Sequence, residues 1–148
     1  MTALDTNILV YSHRPESPQH AEAKAIVDSL RRRGESWAIP GPCLHEFVAV
    51  VTNARIFKEP TPMRSAFDAV ESWAAGANLH FLAESGEHLS ELRALVLRAK
   101  ISGPRIHDAR IAVICLHHGV RELWTADRDF SAFPQLKTRS PLGRERAD

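Results

Sequence analysis

Asp5 stands in an otherwise apolar opening segment, Ala3 to Val10, where a buried element would carry aliphatic side chains. Desolvating a carboxylate there is costly unless a cation or several hydrogen-bond donors compensate it. Three more acidic residues are placed as awkwardly. Glu46 lies in a segment apolar at Leu44, Phe47, Val48 and Val51; its i+3 and i+4 neighbours are Ala49 and Val50, and no lysine or arginine lies within one turn to pair with it. Asp108 stands at the mouth of a largely apolar run from Ala109 to Leu116, and Asp127 follows Glu122-Leu123-Trp124-Thr125. Each has a plain structural account: turn chemistry for Asp5-Thr6-Asn7 and for Asp127 and Asp129, a helix margin for Glu46, an N-cap for Asp108. Four such placements in one chain ask for a common cause.

Converging carboxylates repel one another and raise some of their pKa values unless divalent cations neutralise them. Cys43 and Cys115 share no zinc-like spacing, nothing near His45 completes a His/Cys metal set, and the adjacent His117 and His118 point different ways. A set of hard oxygen ligands selects Mg²⁺ or Mn²⁺. Sites of that kind polarise a phosphate and lower the pKa of a bound water for in-line attack, which is phosphodiester hydrolysis.

The elements that must position these residues alternate along the chain. The first strand carries Asp5. Ser17-Pro18 then opens a helix striped by Ala23, Ile26, Val27 and Leu30 and closed at Gly34, with Arg31, Arg32 and Arg33 as a solvated last turn. Ser36 to Pro40 reads as a strand and Pro42 to Val51 as the helix of Glu46. Thr61-Pro62 opens a helix through Ala66, Phe67, Val70 and Trp73, and Leu79 to Leu82 is a further strand. Ser85 caps a helix with Leu89, Leu92, Val96 and Ala99 on one face. A loop from Ser102 to His107 leads into the apolar helix behind Asp108, which ends at His117-His118-Gly119; a helix apolar on most sides must be buried, so its N-terminus opens inside a cleft. Leu136 to Arg139 adds an edge strand, and Trp37, Trp73 and Trp124 read as core.

This alternation predicts an α/β fold with a mainly parallel sheet covered on both faces, a single domain over residues 1–140 and a loose C-terminal tail over 141–148. In such sheets the ligand cleft lies beyond the carboxyl ends of the strands, where all four acidic residues can face it.

At 148 residues the chain suits one core, and a net charge of +1 excludes a globally basic nucleic-acid binder. Two cysteines make no disulfide framework, which points to a reducing cytoplasm, and no apolar stretch is long enough to span a membrane or serve as a signal peptide. Fifteen arginines against four lysines supply forked donors suited to phosphates; Arg14, Arg105, Arg110 and Arg128 lie nearest the acidic segments and are the expected phosphate contacts.

The segments Leu4-Asp5-Thr6-Asn7-Ile8-Leu9, His45-Glu46-Phe47, His107-Asp108-Ala109-Arg110-Ile111-Ala112 and Thr125-Ala126-Asp127-Arg128-Asp129-Phe130, in this order, resemble the PIN-domain ribonucleases, specifically the VapC-type toxins of bacterial toxin-antitoxin pairs. The resemblance covers essentially the whole chain. It implies metal-binding carboxylates at Asp5, Glu46, Asp108 and Asp127, with Asp129 auxiliary and with Thr6, Asn7 and Thr125 supporting them. It also implies Mg²⁺- or Mn²⁺-dependent cleavage of translation-related RNA (tRNA, rRNA or mRNA), neutralisation by a VapB-type antitoxin, and a homodimer. Two rivals stand beside it. A HAD-like phosphohydrolase also begins from an aspartate after its first strand, but wants a second aspartate where this chain has Asn7. A non-catalytic PIN-fold scaffold would bind RNA or protein without cutting.

Overall fold

The computed structural model describes residues 1–143. Its elements are β1 (Thr2–Leu4), α1 (Thr6–His13), α2 (His20–Arg33), β2 (Trp37–Pro40), α3 (Gly41–Val51), α4 (Met63–Ala74), β3 (Leu79–Leu82), α5 (His88–Ala99), α6 (Ile106–His117), β4 (Glu122–Trp124) and β5 (Thr138–Arg139). Two 3₁₀ turns, Gly103–Arg105 and Arg128–Ala132, flank α6 and β4 respectively. The sheet runs β3-β2-β1-β4-β5, and every pair is parallel.

That order fixes where a site can form. The chain steps outward from β1 to β2 and β3, then crosses back to β4 on the other side of β1. With crossovers of one hand, the reversal puts α5 and α6 on the face opposite the earlier helices. The switch point lies between β1 and β4, and the crevice above it is bounded by whatever follows those two strands: Asp5 after Leu4, and Thr125 to Asp127 after Trp124.

The core lies along these short strands. Ala3, Leu4, Trp37, Ala38, Ile39 and Leu123 have no solvent exposure, as parallel strands covered on both faces require. Ile8 and Leu9 of α1, Phe47 and Val51 of α3, and the run Ile111 to Cys115 of α6 close over them. Phe47 packs on Trp73 at 5.0 Å between ring centroids, joining α3 to α4.

Several local expectations are corrected. The opening segment is a strand only to Leu4; Ile8 to Val10 belong to α1, an element absent from the sequence reading. Pro18 lies in the turn before α2, which begins at His20, whereas Gly34 does close it at φ +71°. Ser85 Oγ accepts the Glu87 N–H at 3.2 Å in a turn ahead of α5, and the inner face of that helix is built on Leu95, while Leu89 is 80% exposed. Trp124 is half-buried beneath the Arg139 guanidinium, 4.8 Å from the ring centroid, not enclosed in the core. From residue 144 the expected tail lies outside the described residues; just before it, the Gly143 N–H donates to Glu22 Oε1 at 2.6 Å.

Candidate active site

Asp5 is the N-cap of α1. Its backbone is extended (φ −81°, ψ 162°), and Oδ1 accepts the Thr6 N–H at 2.8 Å, satisfying one donor of the helix start. Cys43 Sγ–H also donates to Oδ1, at 3.4 Å, while Oδ2 accepts from the Thr125 hydroxyl at 2.6 Å and from Asn7 Nδ2 at 3.3 Å. Only 5% of the residue is exposed. Burial raises the Asp5 pKa, the bonds from Thr125, Thr6 and Cys43 pull it down in part, and Glu46 raises it again. Cys43, a residue with no sequence signal beyond its apolar neighbours, therefore supports the carboxylate from beneath. Burial pushes its thiol well above the ordinary range, so it acts as a donor and not as a nucleophile.

Thr125 is shared between the segments. Its hydroxyl donates to Asp5 and accepts the Asp127 N–H at 2.9 Å, while Asn7 Oδ1 accepts the Ala126 N–H at 3.1 Å. The Thr6 hydroxyl donates to Glu46 Oε2 at 2.8 Å, drawing the exposed Glu46 of α3 toward the start of α1. Asp127 caps the following 3₁₀ turn by accepting the Asp129 N–H at 2.8 Å, so the turn account of this residue holds alongside its place in the crevice.

Asp108 is not an N-cap. The Gly103–Arg105 turn runs directly into α6, and Asp108 sits in the first turn with its side chain toward the crevice. Its pKa is raised, first by burial and then by Asp127, Asp129 and Asp5, against the lowering effect of Arg105. Asp5, Glu46, Asp108 and Asp127 all line one pocket of about 280 Å³, together with Thr6 and Asn7 and walled by Val10, Tyr11, Val50 and Ile111. Asp129 lies outside that lining, yet Asp108, Asp127 and Asp129 each offer an oxygen within 4.8 Å of the others. Carboxylate oxygens alone, drawn from several segments, fit a hard divalent cation.

The expected phosphate contacts fare differently. Arg14 is folded inward, with its Nη atoms on Thr61 Oγ1 at 3.0 Å and on the Glu59 carbonyl at 2.9 Å, Nε on Glu16 at 2.7 Å, and its guanidinium 4.0 Å from the Phe57 ring centroid. Arg110 is paired to Glu84, and Arg105 Nη2 donates to the Asp129 carbonyl at 3.1 Å. Arg128 alone of the four is exposed with no hydrogen bond or ion pair among the described residues. His45 is exposed, and no helix among the described residues is long and apolar enough to cross a membrane.

The PIN domain family model matches residues 2–136. The curated VapC ribonuclease Mb2897 of Mycobacterium bovis is 34% identical over 142 residues, covering 96% of each chain. The chain belongs to the PIN domain family, among the VapC ribonucleases. Solved structures of this PIN fold agree. Rickettsia felis VapBC2, bound to a DNA fragment from its promoter, superposes at TM-score 0.69 with 17% identity over 96% of this chain and 98% of that one. Mycobacterium tuberculosis VapC20, described as a sarcin-ricin loop cleaving toxin, gives 0.66 with 15% identity over 89% and 94%. As a PIN domain the chain has no place for the HAD-like reading: Asn7, where a second aspartate would stand, is a residue of α1 bonded to Asp5 and Ala126.

Proposed function

We propose that this chain is a Mg²⁺- or Mn²⁺-dependent endoribonuclease toxin acting on translation-related RNA in the cytoplasm and silenced by a VapB-type antitoxin. The observation that carries the reading is the convergence of Asp5, Glu46, Asp108 and Asp127 on one pocket whose lining, among the described residues, includes no basic side chain. Such a pocket is built for a cation. A bound Mg²⁺ or Mn²⁺ supplies a polarised phosphate and a water acidified for attack. The chain's own part is to hold the four carboxylates, with Asp129 beside them. Thr125, Asn7 and the Thr6 N–H fix Asp5, the Thr6 hydroxyl fixes Glu46, and Val10, Val50 and Ile111 supply the apolar part of the wall.

The antitoxin reading follows from the same charge. A guanidinium is the side chain best matched to bridge several carboxylates, so the antitoxin places an arginine among Asp5, Asp108 and Asp127. Two copies of the chain form a homodimer, which sedimentation of the isolated protein tests.

The deciding experiment is cleavage of RNA by the purified protein. Activity lost in EDTA and restored by Mn²⁺, and absent in Asp5→Asn, supports the enzyme. RNA that is bound but never cut, with or without Mn²⁺, overturns it in favour of a non-catalytic scaffold.

A further inference from the structure

Beside the carboxylate pocket lies a second, larger cleft of about 900 Å³. Tyr11 and Asp127 line both, so the two are adjacent. The chemistry changes sign across that boundary. Among the described residues, the first pocket carries four carboxylates and no basic side chain, whereas the second is lined by Arg128 and Arg139 and by the hydroxyl residues Thr125, Ser131, Thr138 and Ser140, with Asp127 its only acid.

The two arginines are held in different ways. Arg128 is exposed and makes no bond or ion pair among the described residues, so its charge is uncompensated. Arg139 lines the cleft and is oriented: Nε lies 2.8 Å from Glu122 Oε1 and the guanidinium sits over the Trp124 ring. Lys137 Nζ, 3.5 Å from the other Glu122 oxygen, shares that counter-charge. Arg14, Arg105 and Arg110, by contrast, are all occupied by protein groups.

We infer that this cleft is the binding subsite for the nucleotide next to the scissile phosphate of a single-stranded RNA. Its phosphate rests on Arg128 and Arg139, and its base or ribose lies against the Tyr11 ring at the shared lip. This rests on the nuclease reading above. A strand crossing four carboxylates needs its neighbouring phosphates neutralised by side chains, and the structure offers two arginines on this flank. Stacking on an aromatic face accepts any base, so Tyr11 grips the strand without reading its sequence.

Single-turnover cleavage with Mn²⁺ across a range of RNA concentrations separates half-saturation from maximal rate. Arg128→Ala is expected to raise the half-saturating concentration about tenfold, and Arg139→Ala, already shared with Glu122, about threefold, both with the maximal rate retained. Each change should lower the slope of log affinity against log salt by ~0.7, the value for one contact to a single strand. Tyr11→Ala should weaken binding and Tyr11→Phe should recover it; Arg98→Ala, on α5 and outside the lining of both pockets, should change nothing. Thermal melting of each variant confirms folding, and Arg128→Glu, on an exposed side chain, supplies a second variant at the same position with a larger expected effect. Unchanged half-saturation in the arginine variants, a fall confined to the maximal rate, or a loss of antitoxin affinity with RNA affinity intact would each overturn the subsite alone. A wild-type protein that neither binds nor cuts RNA would overturn the nuclease reading and the subsite with it.

Discussion

The Thr125 hydroxyl donates to Asp5 Oδ2 while accepting the Asp127 N–H, so two of the four carboxylate segments are joined through one oxygen. Replacing it with valine keeps the shape but strips a donor from a buried carboxylate and orphans an amide. Thr125→Val should therefore cost ~10–100-fold in cleavage or Mn²⁺ affinity, as the loss of an outer partner of a metal ligand does, and Thr125→Ser should recover most of it; calorimetric titration with Mn²⁺ and cleavage rates read the two effects. Asp5→Asn, Glu46→Gln, Asp108→Asn and Asp127→Asn should each abolish cleavage, since the amides keep the outline and lose the charge a cation requires. If two or more of them cut at the wild-type rate, the carboxylate site is misassigned. Asp5 also carries a pH signature in EDTA-treated protein. Its folded pKa lies above the ordinary 3.8, so above that pH the folded state still holds a proton the unfolded chain has released, and stability falls as pH rises through the folded value. The thermal midpoint of Asp5→Asn should lack that decline and equal or exceed wild type at neutral pH.

Helices with one apolar stripe and a solvent face are legible in the sequence, such as α4 with Ala66, Val70 and Trp73, and so is α6, whose apolar run is closed by Gly119. Helix α1 was missed because Ile8, Leu9 and Val10 are consecutive and packed from several sides, so no helical period emerges and the segment imitates a buried strand. The carboxylates stand out in the sequence because charge in apolar surroundings needs no period to be noticed, and the fold brings all four to one pocket. Three of the four arginines are taken up by protein groups, because nearness in sequence says nothing about what a long side chain reaches: Arg14 ends α1 yet spends its guanidinium on Thr61 and Glu59, bracing the α3–α4 connection, with His13 Nε2 also 3.0 Å from Thr61 Oγ1. Arg14→Ala is accordingly expected to lower stability by ~1–3 kcal/mol in chemical denaturation, the usual cost of leaving partly buried acceptors without a partner. It should leave the salt slope of RNA affinity unchanged, and a slope reduced by a full phosphate contact would restore Arg14 to the RNA path.

For the molecule as a whole, a net charge of +1 means that little long-range attraction draws it to RNA, and affinity must come from local contacts. The salt slope of the intact protein should therefore correspond to a handful of phosphates, at ~0.7 each; a slope implying ten or more would require a basic surface elsewhere. Inhibition obeys the same local rule. If an antitoxin arginine occupies the carboxylate pocket, raising Mn²⁺ should weaken inhibition, and arginine-to-alanine in the antitoxin should restore cleavage more than it loosens the complex. Inhibition indifferent to Mn²⁺ across a titration would point to blockade away from the pocket. The strand order has a further consequence, in time. Asp5 is synthesised 120 residues ahead of its Thr125 partner, which follows β4. At ordinary synthesis rates that gap is on the order of ten seconds. Through that interval the nascent chain has β1 without β4, and hence no crevice and no cutting centre. A cell making this protein meets the site only once Thr125 and Asp127 have been translated, so termination before them yields fragments that lack it.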